Sequence, residues 1–137
     1  MISELPGHAG IVLLGSRALG LARRLHRSLP GAEIHQPQGG AAALFRSLFK
    51  AGRPIVGICA SGILIRALAP LLKDKSTEPP VVAVAEDGSV AVPLIGGHRG
   101  ANAIARAIAR VTGGTAALTT ASDLRLGLAL DTQPPGW

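Results

Sequence analysis

Aromatic side chains are almost absent from this sequence, with two Phe, one Trp and no Tyr. Proteins that bind single-stranded nucleic acid stack bases on aromatic rings, and only Phe45, Phe49 and Trp137 are available for that. The net charge of +6 comes mainly from dispersed arginines, without a lysine-rich tail or a run of five like charges. We therefore expect an anionic small molecule or an acidic protein surface as the partner, and no nucleic acid.

Cysteine occurs once, at Cys59. This count excludes an internal disulfide and a multi-cysteine zinc site, and it favours the cytoplasm as the compartment. The four histidines, His8, His26, His35 and His98, are scattered along the chain. We predict that the protein binds no metal of its own.

Long uninterrupted hydrophobic segments are also lacking. Glu4 and Pro6 interrupt the start of the chain, so no signal peptide is predicted. Residues 54–72 are nearly apolar, but Arg66 and several Gly, Ser and Pro residues break them up. A buried strand that runs into a helix explains this segment better than a membrane span, and no membrane partner is expected.

Hydrophobic residues make up 47% of the chain and charged residues 16%, which is sufficient for a compact core. We expect one domain over residues 1–137, with its core at about 10–132. The apolar periodicity predicts the order β-α-β-α-β-α-β-β-α-β. This order is typical of the α/β class, with an open, mostly parallel sheet and helices on both faces. The predicted elements include a first strand capped into a helix by Ser16, a central strand at 54–60, a hairpin at 80–95 and a short last strand at 126–130.

Three polar clusters follow predicted strands: Ser61-Gly62, the segment 96–102 and the segment 119–123. Ligands of open α/β sheets bind outside the carboxyl ends of the strands, where helix N-termini and glycine turns expose backbone N–H groups. We therefore predict that the three clusters converge on one edge of the sheet. Helix capping is the alternative explanation for each cluster taken alone.

The segment 96–102 reads Gly-Gly-His-Arg-Gly-Ala-Asn. Its glycines allow close approach of the backbone to a ligand, and Asn102 is suited to capping the following helix. His98 is left without an evident structural role. Its imidazole can act as a general acid or base, or it can simply hydrogen-bond a neighbouring loop.

Charged residues near the apolar segment suggest how an anion would be held. Arg66 lies in an otherwise apolar helix, so its guanidinium either reaches the sheet edge, where it would suit a carboxylate, or extends into solvent. Lys73 and Lys75 add positive charge to the same region. Cys59 is flanked by apolar residues, and we expect it to be inert core rather than a nucleophile.

Taken in order, these motifs resemble the N-terminal part of the CbiG family, the cobalt-precorrin-5A hydrolases. The resemblance covers residues 10–132. It rests on Ala60-Ser61-Gly62-Ile63 with Arg66 and Ala69-Pro70, on Leu71-Leu72-Lys73-Asp74-Lys75 with Pro79-Pro80-Val81-Val82, on Gly97-His98-Arg99-Gly100-Ala101-Asn102, and on Thr119-Thr120-Ala121-Ser122-Asp123.

The resemblance implies a role in cobalamin biosynthesis: water opens a lactone of cobalt-precorrin-5A and acetaldehyde leaves. The substrate would be an anionic tetrapyrrole that carries its own cobalt, so no further cofactor is expected. His98 would activate water. The implied substrate-binding residues are Ser61, Gly62, Arg66, Lys73, Lys75, Gly97, Arg99, Asn102, Thr119, Thr120 and Asp123.

Three functional hypotheses remain open at this point. The domain is the hydrolase or its catalytic half; or it is a non-catalytic corrinoid-binding or docking module of a bifunctional precorrin methyltransferase; or it is a flavodoxin-like domain for another anionic ligand. Members of the family continue into a second domain or are fused to a precorrin methyltransferase. We therefore expect the natural chain to continue beyond Trp137.

Overall fold

A computed structural model of the protein describes residues 5–120. Within them, strands and helices alternate in the predicted order. The strands are β1 (Gly10–Leu13), β2 (Glu33–His35), β3 (Ile55–Ile58), β4 (Val81–Val84), β5 (Val90–Ile95) and β6 (Thr115–Ala116). The helices are α1 (Leu19–Ser28), α2 (Ala42–Lys50), α3 (Ser61–Leu68) and α4 (Ala101–Thr112). The strand predicted at 126–130 lies outside the described residues.

The six strands form one open sheet in the order β2-β1-β3-β4-β5-β6. Strands β2, β1, β3 and β4 are parallel to one another, whereas β5 runs antiparallel to β4 and β6 runs parallel to β5. The hairpin between β4 and β5 was predicted, and Asp87 stabilises its turn by accepting a hydrogen bond from Ser89 N at 2.9 Å. The predicted fold class is confirmed.

Helices cover both faces of the sheet because the strands carry apolar side chains in both directions. Helices α1 and α4 pack on one face, where Ile11 and Val56 are fully buried. Helices α2 and α3 pack on the other face, where Phe45 and Leu64 are fully buried. Burial of each such side chain contributes roughly 1.5–3 kcal/mol to stability. Strand β3 is buried along its whole length, as its continuous apolar sequence predicted.

The start of α1 differs from the prediction. Ser16 does not cap the helix; instead, residues Ser16–Ala18 form a 3-10 helix, and α1 begins at Leu19 without a side-chain cap. A backbone hydrogen bond from Ala18 N to Gly15 O, 3.2 Å long, takes the place of the serine cap. Leu25 of α1 and Leu29, which follows its last residue, are buried, whereas Leu21 is half-buried.

The two edges of the sheet carry different polar clusters. The amino edge is where β1 to β4 begin: Ile55 of β3 lies beside Val81 of β4, and Val81 lies beside Ile95, the last residue of β5. The carboxyl edge is where β1 to β4 end, and Ile58 of β3 lies there, beside Val84. Strand β5 therefore ends at the amino edge, and the chain that leaves β6, which pairs with Val90 and Ala91, continues in the same direction.

The prediction that all three polar clusters meet at one edge is wrong. Ser61 and Gly62 follow β3 and lie at the carboxyl edge, whereas the segment 96–102 and Thr120 follow β5 and β6 and lie at the amino edge. The physical reason is the antiparallel hairpin, because it reverses the direction of the chain for the last two strands. The rule that ligands gather at carboxyl ends applies to strands that all point the same way.

Within residues 5–120, no helix is both long enough and apolar enough to span a bilayer.

Candidate functional site

The turn 96–102 is a compact structure at the amino edge. Residues Gly97–Arg99 form a 3-10 helix, and the Gly96 carbonyl accepts hydrogen bonds from Arg99 N at 2.9 Å and Ala101 N at 3.0 Å. Gly100 has a φ of +122°, and a Cβ atom there would collide with the side chain of Pro6. Glycine is therefore required where this turn joins α4. His98 and Arg99 are exposed on its outer side.

Asn102 joins two of the predicted clusters. It is the second residue of α4 and is buried, with 4% of its surface exposed, and its Nδ2 donates a hydrogen bond to Thr120 Oγ1 at 2.9 Å. The prediction that Asn102 caps α4 is wrong, because Gly100 occupies the capping position. A Cβ atom on Gly97 would lie 3.0 Å from Thr120 Cγ2. The turn and residues 119–120 therefore pack against each other.

The loop 73–78 is shaped by two carboxylates. Glu78 Oε2 accepts hydrogen bonds from Lys73 N at 2.6 Å and Asp74 N at 3.0 Å. Asp74 Oδ1 accepts hydrogen bonds from Ser76 N at 2.9 Å and Ser76 Oγ at 2.6 Å. These carboxylates fix the path of the backbone, and the side chains of Lys73 and Lys75 remain exposed.

The turn 96–102 packs against the residues that follow this loop, because a Cβ atom on Gly96 would lie 3.1 Å from Pro80 Cα and 3.7 Å from Pro79 C. Hydrogen bonds from Ser76 and the positive charge of Arg99 hold the pKa of Asp74 below its usual value. None of the ion pairs within residues 5–120 involves Lys73, Lys75 or Arg99. We refer to these three side chains as the basic rim. All three side chains are exposed to solvent.

An open cleft of about 480 Å³ adjoins the loop 73–78. It is lined by Lys73, Asp74 and Glu78 from the loop and by Lys50 from the last turn of α2. Sequence reasoning missed Lys50. Its position in the sequence could have indicated it, because a lysine at the end of the helix that precedes β3 must lie at the edge where β3 begins. The cleft is large enough for a small-molecule group.

The remaining predicted residues do not join this site. Ser61 and Gly62 are exposed at the start of α3, on the carboxyl edge, and Arg66 is exposed on the same helix. Thr119 is exposed beside Thr120, whereas Asp123 lies outside the described residues. The structure thus brings together His98, Arg99 and Asn102 with Thr120 and the lysine loop, and it leaves Ser61 at the opposite edge.

Two other polar features have structural roles. Arg53 forms an ion pair with Glu33, with Nη1 and Oε1 3.0 Å apart, and its Nε donates a hydrogen bond to His8 O at 2.9 Å. Arg53 and, to a smaller extent, His35 lower the pKa of Glu33. Cys59 is half-buried, and burial raises the pKa of its thiol to about 11, so the reactive thiolate is scarce at neutral pH.

Among residues 5–120, no three His, Cys, Asp or Glu side chains are grouped closely enough to hold an ion.

Comparisons with known proteins agree on one family. The family model described as Cobalamin synthesis G N-terminal matches residues 43–123. The cobalt-precorrin-5A hydrolase of Salmonella typhimurium is 41% identical over 95 residues, which are 69% of this chain and 27% of that protein. The cobalt-precorrin-5A hydrolase of Priestia megaterium is 34% identical over 99 residues, 72% of this chain and 26% of that protein.

A solved structure shares the fold. A homologue of cobalamin biosynthesis protein G from Sulfolobus solfataricus superposes with a TM-score of 0.68 at 23% identity, covering 90% of this chain and 40% of that one. The chain spans about a quarter of the length of the two hydrolases that it matches. The family model covers more than half of this chain, and the match lies in the part that carries the basic rim. The chain therefore belongs to the CbiG family and corresponds to its N-terminal domain.

Proposed function

We propose that this chain is the N-terminal part of a cobalt-precorrin-5A hydrolase and that it binds the anionic tetrapyrrole substrate at the amino edge of the sheet. One observation carries the proposal. The turn 96–102 packs against Pro79 and Pro80, directly after the loop 73–78, and the two segments present Arg99, Lys73 and Lys75 without ion-pair partners among residues 5–120. Membership of the CbiG family supports the choice of substrate.

The chemistry of a cobalt-precorrin suits the basic rim. Such a macrocycle carries several acetate and propionate arms, which are ionised at neutral pH. Arg99 can hold a carboxylate by two parallel hydrogen bonds, and Lys73 and Lys75 supply point charges that tolerate different arm positions. The N-terminus of α4 lies at the same edge and adds a partial positive charge. Cobalt arrives as part of the substrate, and the protein contributes no cofactor.

His98 is proposed as the general base of the reaction. It is exposed on the 3-10 helix, directly before Arg99, so a substrate held by Arg99 would lie within reach of its imidazole. The imidazole would take a proton from the water that opens the lactone, and acetaldehyde then leaves the macrocycle. Asn102 and Thr120 would position His98, because the hydrogen bond between them fixes the turn that carries it.

Binding by the basic rim is tested with a matched pair of arginines. The protein is titrated with cobalt-precorrin-5A and followed by visible absorption, comparing Arg99→Gln with Arg17→Gln. Arg17 is 88% exposed and follows β1 at the carboxyl edge, so its replacement changes the net charge equally without touching the basic rim. We expect Arg99→Gln to weaken binding by roughly three- to tenfold and Arg17→Gln to leave it unchanged. Equal effects of the two variants would refute the site.

Catalysis is tested by measuring acetaldehyde release from cobalt-precorrin-5A. His98→Ala is expected to abolish release while binding persists, and His26→Ala, an exposed histidine on α1, serves as the control. Release retained by His98→Ala rejects its role as base.

A second function is favoured by the fact that this chain spans about a quarter of its relatives. According to this second function, the present domain binds the macrocycle and another domain performs the hydrolysis. Binding of the substrate by this chain with no release of acetaldehyde would establish this second function. The other domain would be a further CbiG domain or a fused precorrin methyltransferase, with the whole protein in the cytoplasm.

A further inference from the structure

An apolar groove opens between α3 and β5 on the face of the sheet covered by α2 and α3. Its volume is about 140 Å³, and its lining consists of Leu64, Ile65, Leu68, Leu72, Val81, Leu94 and Ile95. An apolar cavity of about 150 Å³ accommodates a molecule such as benzene. The groove therefore has room for a large aliphatic side chain.

The groove exposes apolar surface that a folded protein normally covers. Ile65 is 52% exposed and Leu72 is 42% exposed, and they adjoin half-buried Leu94 and Ile95. Helix α4 packs on β5 from the opposite face, and among residues 5–120 no helix lies beyond α3 on this one. A contiguous patch of this kind marks an interaction surface more often than isolated exposed residues do.

The continuation of the chain supplies a matching occupant. Residues 124–130 read Leu-Arg-Leu-Gly-Leu-Ala-Leu, so every second position is leucine, the spacing at which an extended segment presents one face. The other positions are Arg125, Gly127 and Ala129. One side of this segment would thus offer four large aliphatic side chains.

The length of chain between Thr120 and this segment is sufficient. Thr120 packs against Gly97, with Cγ2 3.0 Å from the position of a Cβ there. Gly97 follows Ile95 by two residues, so their Cα atoms are at most about 7.6 Å apart. The four residues from Thr120 to Leu124 span up to about 14 Å when extended. The Cα atoms of Thr120 and Gly97 are at most about 7 Å apart, so the whole span from Thr120 to Ile95 is about 14 Å at most and an extended linker brings Leu124 to the edge of the groove.

We propose that the leucine segment 124–130 of this same chain docks into the groove between α3 and β5. Tethering favours this occupant over a free partner, because a short linker keeps the segment at a high effective concentration. The groove lies next to the candidate site, since Leu72 precedes Lys73 and Ile95 precedes the glycine turn. Docking would thus lead the chain out of the domain past the basic rim. The proposal is independent of the substrate assigned above.

The test measures how fast a thiol in the groove is alkylated in the full-length protein. Ile65→Cys introduces that thiol, and N-ethylmaleimide is the probe. The native Cys59 gives a slow background because its pKa is raised to about 11, and the protein without Ile65→Cys measures it. Two variants carry further changes in addition to Ile65→Cys. One has Leu126→Asp and Leu128→Asp on the side of the segment that carries the leucines, which we call the leucine face. The other has Ala129→Asp on the opposite side.

We expect the leucine-face variant to be alkylated at least about tenfold faster than the parent, because burial of a leucine shifts an equilibrium by that factor or more. Ala129→Asp should react like the parent. Equal rates in all three proteins would overturn the proposal. Protection that rises with protein concentration and survives Leu126→Asp with Leu128→Asp would assign the groove to a second copy of the chain and would also overturn it.

Discussion

The hydrogen bond between Asn102 and Thr120 holds together the two segments that form one wall of the candidate site. We perturb it with Asn102→Ala, Thr120→Val and the double variant. Asn102 Nδ2 lies 2.9 Å from Thr120 Oγ1, and Asn102 is buried with 4% of its surface exposed. A hydrogen bond in such a position contributes about 0.5–1.5 kcal/mol to the free energy of unfolding.

The expected magnitudes follow from that geometry. Asn102→Ala also empties space behind Gly97 and leaves the Thr120 hydroxyl without this donor, so the single variant should lose about 1–3 kcal/mol. Thr120→Val keeps the shape of the side chain and should lose about 1 kcal/mol. The coupling energy from the double-mutant cycle should then be about 1 kcal/mol, measured by urea unfolding followed by circular dichroism.

A coupling energy below about 0.3 kcal/mol would refute the reasoning, since residues without a mutual interaction add within that limit. In that case the turn 96–102 and residues 119–120 would not be joined by this contact, and the wall of the site would need another explanation.

Three further predictions concern other parts of the chain. Gly100→Ala should lower the free energy of unfolding by about 1–3 kcal/mol, because Gly100 has a φ of +122° and a Cβ atom there would collide with Pro6. Gly62→Ala is the control, since Gly62 has open space around it in α3, and it should be neutral or stabilising. Thermal unfolding of both variants checks this. Cys59 should react slowly with iodoacetamide at pH 8 in the native protein and rapidly in urea, because burial raises the pKa of its thiol to about 11. Fast labelling of the native protein would contradict this. Arg53 lowers the pKa of Glu33 below its ordinary value of 4.5, so the ion pair stabilises the fold above that pH and less as pH falls below it. Glu33→Gln should therefore lose less stability than the wild type between pH 7 and pH 3, as measured by denaturant unfolding; an unchanged loss would refute the contribution of the pair.

The order of elements could be predicted from sequence because each element has a local cause. The leucine spacing of α1, the continuous apolar run of β3 and the Asp87-Gly88 turn are all features of a few neighbouring residues. The exact starts of helices were less predictable. Ser16 has the residue type of a cap, yet a backbone hydrogen bond from Ala18 replaces it.

The positions of the site residues depend on the topology of the whole sheet and not only on neighbouring residues. The local sequence predicts the β4–β5 hairpin, but the separation of His98 from Ser61 follows only when the antiparallel direction of β5 is combined with the parallel order of β1 to β4. The same reversal brings the turn 96–102 to the edge where Lys50 and Lys73 lie. The burial of Asn102 could not be read from sequence, because its partner Thr120 is 18 residues away.

The central claim is that an anionic tetrapyrrole binds at the amino edge of the sheet. The most direct measurement is a backbone amide NMR titration of the protein with cobalt-precorrin-5A. We predict that the largest shift changes fall on residues 73–78 and 96–102. Changes concentrated instead on residues 15–17 and 60–63, at the carboxyl edge, would contradict the account.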